Sequence, residues 1–265
     1  MNLNLVLVFL AGACIGSFLN VVLSRLPAGR QGLGRREGIL FGRSECPHCH
    51  RVLAWYDLVP VMSFLFLRGR CRTCRARISL RYPVVELSTA LVLTWFFVRA
   101  GLPAQAGIPV SPETILSAIL LVGFLMLLFF DALYLLLPDA VTLPMIGVAL
   151  VHALAFGSVG VWNVLGNGFL FAAGFGILYA VSGGRWIGFG DVKLALLIGI
   201  LFGYPLGVVV VIGSVWIATL YGFGLLLLRR ATLATALPFG AFLAGVAIVV
   251  IVFKNEAQVF FNSFS

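Results

Sequence analysis

Apolar residues run along this chain in long unbroken stretches, not in the three-to-four-residue rhythm of a helix with one wet face. Eight such runs stand at about 3–24, 83–100, 114–130, 139–157, 162–182, 192–203, 206–228 and 238–253. Crossing a hydrocarbon layer of about 30 Å takes roughly 17–25 helical residues. Lipid offers no partner to an open backbone, and the runs are too continuously apolar for barrel strands, so each predicts a transmembrane helix. The 192–203 run is short, and only Gly203-Tyr204-Pro205 parts it from the next; the two read either as one broken helix or as a pair. The first run has no positive charge ahead of it and passes straight into Arg25, the pattern of an uncleaved anchor.

Composition agrees with the pattern. Of 265 residues 62% are apolar and 10% charged, against roughly 45–50% and about 25% in soluble domains, which excludes a water-soluble globular protein. The net charge of +9 changes the picture through its location. Between Arg25 and Tyr82 there are twelve arginines and three acids, while the other 207 residues carry six bases and six acids. A surplus confined to one loop marks that loop as cytoplasmic. It points to the lipid bilayer as the partner, not to nucleic acid. Threading from there places the N-terminus outside, the 101–113 stretch (Pro103, Pro109, Pro112) outside, 131–138 and 183–191 inside, 158–161 and 203–205 outside, and Arg229-Arg230 inside. Arg185 obeys this scheme; Arg99 and Lys254 do not. The chain thus reads as an all-α polytopic membrane protein of about eight transmembrane helices. Residues 1–24 form the first helix, 25–82 a small cytoplasmic loop domain, and 83–265 a multi-helix membrane domain.

The loop holds Cys46-Pro-His-Cys49 and Cys71-Arg-Thr-Cys74, two CxxC pairs separated by 21 residues. Two tight knuckles offering four thiolates make the closed tetrahedral shell of a structural Zn²⁺ site. A reducing cytoplasm disfavours the disulfide alternative. His48 and His50 flank the first knuckle, but four cysteines already fill the shell. Cys14 reads as a small apolar thiol packed between helices.

Four carboxylates lie in or beside the membrane: Glu86, Asp131, Asp139 and Asp191. Ionisable groups at that depth are costly and usually functional. Asp131 and Asp191 are 60 positions apart in sequence, yet the threading puts both at the cytoplasmic edge. Such a pair can share a proton, one carboxylate activating water and the other protonating the scissile amide. Helix capping competes as a role for Asp191 and is the preferred one for Asp139, which follows Leu137-Pro138. Gly188-Phe-Gly190-Asp191 leaves room for close backbone approach by an extended substrate. Glu86 stands near Arg81, where an interfacial ion pair is the plain reading. The paired glycines of the later helices suit close packing in lipid, and the absence of a phosphate-cradling loop gives an ATP-driven pump no support.

These residues together resemble the type IV prepilin peptidases, bifunctional leader peptidase and N-methyltransferase enzymes of the GxGD intramembrane aspartic protease type. The resemblance runs nearly end to end. It starts with Gly-Ala-Cys-Ile-Gly-Ser-Phe-Leu-Asn-Val-Val-Leu-Ser-Arg-Leu-Pro from Gly12 to Pro27, then takes in the knuckles around Trp55–Pro60 and Arg81-Tyr-Pro-Val-Val-Glu86. It continues through Asp131–Asp139, Gly188–Lys193 and Leu237-Pro-Phe-Gly240. The chain departs from the pattern at Ala241, where proline is expected and where the change should reach only packing, and in Ala-Leu-Tyr after Asp131, where polar residues are commoner.

The resemblance implies Asp131 and Asp191 as the catalytic pair, with Gly188, Gly190, Lys193 and Asp139 shaping the site. It also implies prepilin and pseudopilin substrates of type IV pilus and type II secretion systems, cut at the cytoplasmic face of the bacterial inner membrane after a short basic leader. The new N-terminal residue would then be methylated from S-adenosylmethionine; the cysteine loop is tied to that second activity, with Glu86 as a candidate. Two other classes compete: an ion-coupled transporter with Asp131 and Asp191 as relay carboxylates, whose charges belong near the midplane, and a zinc-stapled scaffold, which leaves both aspartates unexplained.

Overall fold

The computed structural model describes residues 3–30, 42–101, 110–157, 159–230, 232, 235–254 and 256. Arg35, Arg36 and Glu37 of the basic loop, Pro103 and Pro109 of the stretch that follows, and the side chain of Arg30 lie outside the described residues. The chain divides into two compact units, Met1–Ile108 and Pro109–Ser265.

In the first unit α1 (Leu3–Arg30) packs along α3 (Arg81–Arg99), and between them lie a 3-10 turn at Trp55–Asp57 and the five-residue α2 (Met62–Phe66). α1 runs six residues beyond its predicted end. The two long helices meet backbone to backbone: a Cβ at Gly12 would lie 2.8 Å from Ala90 Cα and one at Gly16 2.6 Å from Glu86 Cα. Small residues four apart are what permit such an approach where no hydrophobic drive separates helix from lipid. Asn20 extends the seam, its side-chain amide donating to the Tyr82 carbonyl at 3.0 Å.

The second unit contains α4 (Pro112–Tyr134), α5 (Asp139–Phe156), α6 (Val161–Ser182), α7 (Phe189–Leu227) and α8 (Phe239–Val252). Ser111 caps α4 by accepting from the Thr114 N–H at 3.2 Å, with Pro112 at the first position. α7 packs against α5, α6 and α8, and α4 against α5 and α8. The buried core is built from Leu121 and Phe124 of α4, Leu194 and Leu197 of α7, and Leu243 and Ala247 of α8.

Among the described residues the eight predicted runs fall on α1 and α3 to α8, with α7 made of two helical stretches, one carrying 192–203 and the other 206–228, that meet at a non-helical break. That helix is broken inside, with Gly203 at φ 59°, ψ −161° and Tyr204 extended ahead of Pro205. Six helices are long and apolar enough to cross a membrane; α8 has 14 residues and spans about 21 Å. Outward faces stay apolar, with Trp162, Phe169 and Val181 of α6 and Trp216 of α7 exposed. The protein is a polytopic, all-helical membrane protein, its described residues holding only isolated β-bridges.

Candidate active site and metal centre

Three chain segments of the second unit converge on one point. Asp131 lies on the last turn of α4 and Asp191 is the third residue of α7; both are buried. The Asp131 Oδ2 accepts from the Ala241 N–H at 2.7 Å, on the first turn of α8, and the Gly240 N–H also reaches this carboxylate. Asp191 Oδ2 accepts from the Gly188 N–H at 3.2 Å. One oxygen thereby caps α7, which has only a glycine at its cap position, and the carboxylate still sits within range of the charge on Asp131. Leu135 ends α4 in the left-handed region at φ 52°, uncommon for a residue with a Cβ. The reversal returns Leu137 to a wedge between the first turns of α7 and α8: a Cβ at Gly190 would lie 2.9 Å from Leu137 Cβ, and one at Gly240 2.9 Å from Leu137 Cδ1 and 3.1 Å from Asp131 Oδ2.

Beside this point Lys193 Nζ meets Asp139 Oδ1 at 2.5 Å and lies 5.0 Å from the centre of the Phe189 ring. The capping role expected of Asp139 is not what the structure has. Pro138 occupies the cap position and Asp139 is the first helical residue, so its carboxylate is turned to Lys193 and ties α5 to α7.

The four loop cysteines of the first unit are together as well: the sulfurs of Cys46, Cys49, Cys71 and Cys74 lie within 4.8 Å of one another, with Cys46 and Cys74 3.8 Å apart. A tetrahedral shell with metal–sulfur bonds of about 2.3 Å has edges of about 3.8 Å. The sulfurs can hold a metal. Each knuckle is a small hairpin, and the second repeats the first 25 positions later. Cys46 and Cys71 donate from their N–H groups to Arg51 and Ala76 at 3.0 and 2.8 Å, and Leu53 and Ile78 to Ser44 and Gly69, both at 2.8 Å. His50 and Arg75 both take positive φ after the second cysteine. His50 stands 3.6 Å from Glu45, not among the sulfurs. Backbone N–H groups of Cys74 and Thr73 bring the Cys71 thiol down to about 6. At Cys74 the Ala76 N–H pulls the same way, but burial and the neighbouring Cys71, Cys49 and Cys46 push it up to about 11. A cation among the four sulfurs would favour the thiolate form of each. Asp57 binds the two knuckles together, accepting from Arg51 at 3.4 Å and from Arg72 Nε at 3.0 Å.

Two family models divide the chain between them. Residues 10–100 match the bacterial peptidase A24 N-terminal domain, and residues 118–223 match the type IV leader peptidase family. A prepilin leader peptidase/N-methyltransferase of Aeromonas hydrophila is 35% identical across 90% of this chain and 87% of its own length. The chain belongs to the type IV leader peptidase family. Relatives of the same name in Pseudomonas aeruginosa and Klebsiella pneumoniae are 31% and 37% identical, covering 89% and 74% of the chain and 85% and 84% of the relatives. No solved structure matches the chain.

Within the family frame the peptidase match contains both aspartates and stops short of α8. Sequence reasoning missed the backbone donors of Gly240 and Ala241, and the wedge at Leu137. The signal for the first was present in the departure at Ala241. Proline there would carry no N–H, so this alanine adds a hydrogen bond to Asp131 and its effect is not confined to packing. Glu86, in the N-terminal match, accepts from the Val61 N–H at 2.8 Å and from the Ser17 hydroxyl.

Proposed function

We propose that this protein is a membrane aspartic endopeptidase that removes the basic leader from type IV prepilins and pseudopilins and then N-methylates the new N-terminal residue. One observation carries the reading: Asp131 and Asp191, on separate helices, are both buried and near enough for the charge of one to act on the other, with Leu137 packed against the glycines at 190 and 240 beside them. One carboxylate takes a proton from water, the water oxygen attacks the scissile carbonyl, and the other carboxyl gives its proton to the leaving amide nitrogen. The N–H of Ala241 holds Asp131 in place and the N–H of Gly188 holds Asp191. The Asp139–Lys193 pair fixes the start of α5 against the turn that carries Asp191.

The metal is Zn²⁺, held by Cys46, Cys49, Cys71 and Cys74, and it is structural. The methyl group comes from S-adenosylmethionine, which supplies it in electrophilic form. The protein resides in the bacterial inner membrane with its N-terminus outside and the basic loop and both aspartates at the cytoplasmic face, in accord with the arginine bias of 25–82. Ion-coupled transport has no comparable support, since the relatives carry an enzyme's name. Incubating the purified protein with prepilin, with and without S-adenosylmethionine, and weighing the products tests both activities. An intact precursor with wild-type protein, or cleavage by Asp131→Asn or Asp191→Asn near the wild-type rate, overturns the reading.

A further inference from the structure

Between its two knuckles the cysteine loop turns an apolar face outward. Met62, Leu65 and Phe66 of α2 are 47%, 60% and 79% exposed, and at spacings of three and four they form one side of the helix. Trp55 of the preceding 3-10 turn is 79% exposed, its ring 5.7 Å from that of Tyr56 centre to centre. The opposite side of α2 is turned inward, where Ser63, Phe64 and Leu67 line the same cavity as Ser17 of α1 and Glu86 of α3. Large apolar side chains clustered on the outside mark a surface with a partner.

The depth of that face selects the partner. α3 has 19 residues and is about 28 Å long, close to the thickness of the hydrocarbon layer, so Arg81 stands at its boundary. Glu86 lies about 7.5 Å further along the axis, and its carboxylate accepts from the Val61 N–H at 2.8 Å, directly ahead of α2. The start of α2 is thus held inside the end of the span, beside lipid, in a segment that the sequence alone assigns to the cytoplasmic loop. Arginines follow it. Five of them and no acid stand between 68 and 77. Arg68 and Gly69 reverse the chain at φ 50° and 66°, and Arg68 and Arg70 are exposed with no ion-pair partner among the described residues. We propose that this face lies in the membrane interface, with Trp55, Met62, Leu65 and Phe66 among the upper acyl chains and Arg68 and Arg70 on the phosphates of an anionic leaflet. The cysteine loop is then seated on the bilayer by a third attachment besides α1 and α3. Aromatic and aliphatic side chains on one side with arginines on the other are the composition of surfaces that lie in an interface, and an anionic leaflet attracts a run of cations held beside it.

The test is photocrosslinking of the full-length protein in nanodiscs of phosphatidylcholine, with and without phosphatidylglycerol, after Trp55 or Phe66 is replaced by benzoylphenylalanine. Mapping of the modified peptides by mass is expected to show lipid adducts at both positions, with phosphatidylglycerol exceeding its share of the lipid. Arg68→Gln/Arg70→Gln should remove that excess and leave the adducts. Leu65→Glu/Phe66→Glu changes two exposed side chains; it is expected to keep zinc content and to speed tryptic cleavage after Arg68 and Arg70 by about tenfold or more, the worth of one apolar side chain withdrawn from lipid. Irradiation that yields no lipid adduct, that joins these positions to residues 110–256, or that joins them to added prepilin in place of lipid overturns the proposal, the last two by naming another occupant. Tryptic cleavage of the double glutamate variant within twofold of wild type overturns it as well, and adducts at the bulk lipid ratio overturn the arginine contacts.

Discussion

Gly240→Ala puts a single methyl group against the Asp131 carboxylate. On the present backbone that Cβ would lie 2.9 Å from Leu137 Cδ1, 3.1 Å from Asp131 Oδ2 and 3.2 Å from its Cγ. The leucine tip can rotate away. The carboxylate is held from behind at 2.7 Å by the Ala241 N–H, so it yields a few tenths of an ångström and the bond lengthens. Overpacking of this kind costs about 1–3 kcal/mol, and if the transition state bears it the rate falls about 5- to 150-fold. Gly174→Ala is the control: nothing lies within 4 Å of its Cβ, and alanine in a helix interior is favoured by up to about 1 kcal/mol. Single-turnover cleavage of prepilin, followed by product mass, isolates the chemical step, and thermal unfolding reports stability. Methylation of an already cleaved pilin is expected to stay near wild type. A Gly240→Ala enzyme that cleaves within twofold of wild type in single turnover would refute the tight fit of α8 on Asp131.

Asp131→Asn and Asp191→Asn are each expected to abolish cleavage in membranes that hold normal amounts of protein, since an amide cannot pass the proton. Asp139→Asn should cost only a few-fold, because its bond to Lys193 is half exposed and such pairs contribute about 0–1 kcal/mol; a mass-based rate assay separates the three. Ala241→Pro removes one of the two N–H donors on Asp131 and should slow cleavage about tenfold, the worth of one such bond, while Ala241→Gly keeps the rate; equal rates for both would refute the hydrogen-bonding role. Metal analysis should find about one zinc per chain, lost in Cys46→Ser/Cys49→Ser, with methylation harmed more than cleavage. Zinc takes thiolates and acid returns protons to them, so zinc affinity should fall as the pH is lowered below neutrality; an affinity that does not change with pH would contradict the four-thiolate shell.

The helices were legible because lipid imposes one strong rule on sequence: long apolar runs. The knuckles were legible because four cysteines at fixed spacing have few other uses. The break in α7 was legible in Gly203 and Pro205 as a doubt between one helix and two, which only the backbone at Gly203 resolves. What escaped reading was carried by groups that leave no trace in a side-chain alphabet. The donors on Asp131 are main-chain N–H groups 110 positions away, and the wedge at Leu137 depends on two glycines from distant helices closing on it. Asp139 misled because one carboxylate at a helix start can either cap or pair, and the choice was made by Lys193, 54 positions on.

The two knuckles close on their own backbones before any sulfur meets a metal, through contacts spanning nine residues or fewer. Between the hairpins, order rests on the four sulfurs, on Asp57, and on the hydrogen bond that Arg51 donates to the Thr73 hydroxyl at 2.7 Å. The metal is therefore a pin in a joint between two prefabricated parts. Withdrawing it should not melt the loop as one body. Amide hydrogens of Cys46, Leu53, Cys71 and Ile78 would exchange slowly in the stripped protein while the two halves stayed tethered only through Asp57 and the Arg51–Thr73 bond, each half still shaped to receive the metal again.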